Sequence, residues 1–109
     1  MPDASSPSEA VIALLASAEA ALDAPNGDDA TVAFGAVSRI EEFLRAVERA
    51  TPGGAPLHAQ LDTVRKWVAV LAQPGDHGRF GGGGRVRDHV AMQFRLARAA
   101  ANDYFEATS

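Results

Sequence analysis

The chain has 109 residues, enough for one domain with a modest core, and 47% of them are apolar but only 6% aromatic. It contains no cysteine, which excludes disulfides, thiolate metal sites and a cysteine nucleophile, and suits a reducing compartment. The net charge of −4 is unevenly spread: residues 1–54 carry three basic and nine acidic side chains, whereas residues 55–109 carry seven basic and five acidic. That asymmetry suggests pairing between the halves or head-to-tail association.

The longest strongly apolar run, residues 11–18, is too short to cross a bilayer. The first Lys or Arg is Arg39, so the early apolar stretch lacks the positive region of a secretory signal. The expected setting is the cytoplasm, with no membrane contact.

Residues 1–5 read as a disordered leader, and residues 6–109 as a single helical domain. Ser6, Pro7, Ser8 and Glu9 form a capping box, with Pro7 at the first helical position. A first helix is predicted over 7–23, with Val11, Leu14, Leu15, Ala18 and Leu22 on one stripe. The run Ala24, Pro25, Asn26, Gly27 stops it.

A second helix is predicted over 28–50, capped by Asp28 or Asp29. Val32, Ala33, Ala36, Val37, Ile40, Phe43, Leu44 and Val47 share one arc, and charged residues fill the other. Glu41 and Arg45 stand one turn apart in the favourable order.

Thr51, Pro52, Gly53 and Gly54 break the chain. A third helix over 55–73 follows, in which Leu57, Leu61, Val64, Val68 and Leu71 keep the alternating four- and three-residue spacing of a packing seam. Trp67 lies at its edge as a core anchor.

Residues 74–84 hold six glycines and read as a mobile surface connector. A fourth helix is predicted over 85–107, with Val86, Val90, Phe94, Ala97, Ala101 and Tyr104 facing one way. No segment alternates with period two over a useful length, so no strand is expected. The fold class is all-α, a compact four-helix bundle with a Gly-rich loop before the last helix. Ile40, Leu44, Leu61, Val64, Val68, Val90 and Phe94, at the centres of three apolar arcs, should be buried together.

The fourth helix is apolar on two sides. Opposite Val90 and Phe94 lie His89, Met92, Leu96, Ala99 and Ala100. A bundle helix needs one apolar face, so the second is a candidate protein interface. A non-catalytic interaction or assembly module follows, with a protein partner and most simply a homodimer.

The alternative is an accessory nucleic-acid-binding or regulatory protein. A glycine-rich loop before a helix can cradle an anion, and Arg79, Arg85, Arg87, Arg95 and Arg98 supply positive charge there. Arg87, Arg95 and Arg98 fall within an arc of about 80° on the helix. No Lys-Ser/Thr pair follows Gly83 or Gly84, so the phosphate-loop pattern fails. The acidic total charge and the lack of interleaved aromatics also weigh against this alternative.

No enzyme motif fits. A paired-glutamate pyrophosphohydrolase site at Glu41 and Glu42 needs a third glutamate at position 45, which is Arg45. His58 and Asp62 are one turn apart but supply only two metal ligands. The expectation is no catalytic residue, no metal and no cofactor.

Overall fold

The computed structural model describes residues 7–23 and 34–108. The leader over 1–5, the Ser6 half of the capping box, the stop at 24–27 and the start of the second helix at 28–33 lie outside the described residues.

Four α-helices are present: α1 (Pro7–Ala20), α2 (Phe34–Ala50), α3 (Ala55–Leu71) and α4 (Gly83–Thr108). Two short 3-10 helices complete the described residues, which contain no strand: η1 (Ala21–Asp23) continues α1, and η2 (Pro74–Phe80) joins α3 to α4. The all-α expectation holds, with helix ends close to those read from the apolar periodicity.

The helices form a ring. α1 packs on α2, α2 on α3, α3 on α4 and α4 back on α1; among the described residues there is no diagonal contact between α1 and α3 or between α2 and α4. Side-chain contacts give the directions. Thr51 meets His58 and Glu48 meets Arg65, so α2 and α3 run antiparallel. Gln60 meets Gln93 and Tyr104 reaches Pro52, so α3 and α4 do too. Short connections produce this up-and-down order.

Inside the ring lies one core. Val11, Leu15 and Ala18 come from α1; Ala36, Ile40, Leu44 and Val47 from α2; Leu57, Leu61, Val64, Val68 and Leu71 from α3; and Val86, Val90, Phe94, Ala97 and Ala101 from α4. All seven residues expected at the core are among them. Leu22 joins from η1, while Leu14, Val37, Phe43 and Phe105 are half-buried against the rim. Each contribution repeats every three or four residues because only that spacing keeps side chains on one helical face.

Arg65 locks α2 to α3. Its Nε donates to Glu41 at 2.7 Å, and its two terminal nitrogens donate to the Glu48 carboxylate at 2.8 and 3.0 Å. Asp62, on the same helix, accepts a further bond at 2.6 Å. The predicted Glu41–Arg45 contact exists at 3.6 Å, but Glu41 makes its shorter bond to Arg65 across the helices. Arg98 of α4 pairs with Glu19 of α1. The acidic first half and basic second half are thus joined within the chain, as the charge asymmetry suggests.

The segment 74–84 departs from expectation. It is not an irregular connector: residues 74–80 wind into η2, and Gly83 and Gly84 already belong to α4. Within it His77 is buried, only 7% exposed. Its Nε2 sits 3.1 Å from both the Val70 and Leu71 carbonyls at the end of α3. Carbonyl oxygens only accept, so Nε2 carries the proton and donates to both. The Leu71 carbonyl at the helix end takes the imidazole as its donor, while the Val70 carbonyl accepts from both the imidazole and the Gln73 amide, the latter at 3.0 Å. Gly81 closes the turn at φ +95°, a left-handed conformation that glycine adopts without strain.

Candidate functional site

The candidate interface divides when placed on α4. Met92 and Leu96 are 50% and 47% exposed, and Ala99 beside them is exposed too. In the helix ring α4 is flanked by α3 and α1, and no described element covers its outer face. These three residues therefore form an open apolar strip.

His89 and Ala100 stand at the edge of that strip, turned toward α3. The His89 imidazole stacks on the Trp67 indole, with ring centroids 4.5 Å apart and planes 18° from parallel. Phe80 of η2 packs edge-on against the same indole at 5.1 Å and stays 38% exposed. Trp67 is thus the centre of an aromatic cluster with Phe80 and His89, and it is also half-buried against the core as the edge anchor expected. Ala100 packs against the core rim and lines a cleft of about 490 Å3 between the α2–α3 turn and the end of α4. Tyr104 crosses this cleft to donate to the Pro52 carbonyl at 2.8 Å. Gly54 lies beneath it with little room to spare, since a β-carbon there would stand 3.0 Å from the Tyr104 ring and 3.1 Å from the Thr51 carbonyl.

The five arginines do not act as one stripe. Arg98 is held by Glu19, and an Arg87 terminal nitrogen donates to the Leu22 carbonyl at 3.3 Å. Both lie on the α1 side of α4. Arg79, Arg85 and Arg95 are exposed, the first on η2 and the other two on α4. The Gly-rich segment, a surface connector in the main reading and an anion cradle only in the alternative, is made of η2 and the first turn of α4.

His58 and His77 repeat one device. His58 Nε2 lies 2.9 Å from the Thr51 carbonyl and 3.1 Å from its hydroxyl. The Thr51 hydroxyl in turn donates to the Val47 carbonyl at 2.8 Å. His58 closes the end of α2 as His77 closes the end of α3, each from seven residues beyond its carbonyl partner. The His58–Asp62 spacing leads to no ligand cluster: among the described residues no group of three His, Asp or Glu side chains converges on one point.

Sequence reasoning missed the Trp67–Phe80–His89 cluster because the three residues come from three elements. The apolar character of η2's last residue was the available signal. No helix among the described residues is long and apolar enough to cross a membrane. Comparison with known proteins adds no relative: no family model, curated protein or solved structure matches the chain.

Proposed function

We propose that the chain is a cytoplasmic, non-catalytic interaction module that associates with a second copy of itself through the outer face of α4. One observation carries the reading. Met92 and Leu96 are half exposed on a face that no described element covers, and His89, one turn before Met92 on α4, joins Trp67 and the exposed Phe80. Single exposed apolar residues are ordinary, but a strip of them beside small alanines allows close helix approach. Twofold pairing is the commonest way to bury such a strip. The division of the arginines favours a protein partner over nucleic acid, since two of the five already bond to α1 or its extension.

The test is Met92→Glu with Leu96→Glu, followed by light scattering and circular dichroism. The expected product is a folded monomer. Unfolding of the double variant would instead assign the strip to the core, and an unchanged dimer would move the interface elsewhere.

A further inference from the structure

The outer face of α4 carries a second periodic pattern. Arg85, His89, Met92, Leu96, Ala99 and Asp103 follow one another at intervals of four, three, four, three and four residues. This is the spacing of a coiled-coil seam, distinct from the inward seam of Val86, Val90, Phe94, Ala97 and Ala101.

The seam is symmetric about Phe94. Positions 92 and 96, 89 and 99, and 85 and 103 are equidistant from it. Turned end over end onto a copy of itself, the seam sets Met92 against Leu96, His89 against Ala99 and Arg85 against Asp103. Unlike charges then meet at both ends, and the largest apolar side chains meet at the centre. Turned parallel, it sets Arg85 on Arg85 and Asp103 on Asp103, with like charges opposed at both ends.

Arg85 and Asp103 are both exposed, and neither has an ion-pair partner among the described residues. Arg65 and Arg98, by contrast, are engaged within the chain. The two charges that close the seam are thus available to a second copy.

We infer that two copies pair through α4 as an antiparallel, twofold coiled coil centred on Phe94, with reciprocal Arg85–Asp103 ion pairs fixing its direction and register. This rests on the self-association proposed above and adds its geometry. Each end contributes modestly, because exposed ion pairs are weak and screened by salt. Their role is to exclude the parallel and slipped arrangements.

Two single variants decide it. Arg85→Glu places two acids opposite each other at both ends of its homodimer, and Asp103→Arg places two bases there. Each should weaken homodimer formation about tenfold at low salt. A one-to-one mixture should regain wild-type affinity. At one end of the mixed dimer the acid introduced at position 85 of one chain faces the base introduced at position 103 of the other. At the opposite end the unaltered Arg85 and Asp103 pair as in wild type. Native mass spectrometry should find the mixed dimer in excess of both homodimers. The combined variant Arg85→Glu, Asp103→Arg should dimerise like wild type. A mixture no tighter than its components overturns the antiparallel register, while Met92→Glu with Leu96→Glu still reports separately on whether this face associates at all. A wild-type chain that stays monomeric removes both proposals together.

Discussion

Arg65 and the histidines at positions 58 and 77 bear most of the polar order in the molecule. The Arg65 guanidinium, hydrogen-bonded to Glu48 and near enough to attract it, holds that carboxyl below its ordinary value of 4.5, against the opposing effect of burial. Arg65 is in turn held charged by Glu48 first and Glu41 second. A carboxyl depressed in the folded state contributes stability that is complete above its unfolded value and is lost as pH falls through its folded value. Stability should therefore decline below about pH 4.5, and Arg65→Gln should flatten that decline. At neutral pH Arg65→Gln should cost about 0.5–1 kcal/mol by urea denaturation, the range of a partly exposed ion-pair network. An unchanged acid slope in the variant would show that other carboxylates set it. The charge asymmetry suggests pairing between the halves but not its partners: helical spacing gives Glu41 the neighbour Arg45, which it does contact, and is blind to Arg65 because it reveals contacts within a helix and not between helices.

His77→Ala removes the donor shared by the Val70 and Leu71 carbonyls and should destabilise the chain by about 1–2 kcal/mol. The same variant tests the element that His77 holds. The Gly82 amide donates to the His77 carbonyl at 2.8 Å. Its hydrogen exchange should be slower in wild type than in His77→Ala, and equal rates would mean that η2 holds without its histidine. Periodicity located α1 to α4 because each buries a stripe of three or more turns. It could not find η2. Seven residues with two glycines carry no stripe, and their anchors to α3 are the His77 imidazole on its last carbonyls and Phe80 on Trp67. The core was legible for the reason η2 was not. Leu44 and Leu61 lie at the centres of long apolar arcs and are fully buried. Leu44→Ala and Leu61→Ala should each cost about 2–5 kcal/mol by chemical denaturation. A loss under about 0.5 kcal/mol at both would contradict the packing described.

At the scale of the whole molecule, the helix ring explains why one face of α4 stands out. Every helix in a four-membered ring touches two neighbours and presents its back to solvent. The outward sides of α2 and α3 are mostly polar, as at Ser38, Arg39 and Glu42 on one and Asp62 and Lys66 on the other. The back of α4 is charged at Arg85, Asp88, Arg95 and Asp103 but also exposes Met92 and Leu96 at its middle, and its length of 26 residues lets it carry a seam of six positions there as well as one toward the core. That second apolar stripe was readable from the sequence, since Met92 and Leu96 have no place in the core arc. What covers His89 and Ala100 was not, because it depends on α3 lying alongside: Trp67 takes one and the core rim the other. The partners of two of the five arginines depend on neighbouring helices in the same way, with α1 holding Arg98 and the Leu22 carbonyl holding Arg87. Self-association through α4 is the central claim, and sedimentation equilibrium of the wild-type protein over a wide concentration range tests it most directly. The account predicts a concentration-dependent rise from the 11.4 kDa of one chain to twice that mass, where it stops because a twofold interface is closed. A single 11.4 kDa species at every concentration would contradict it.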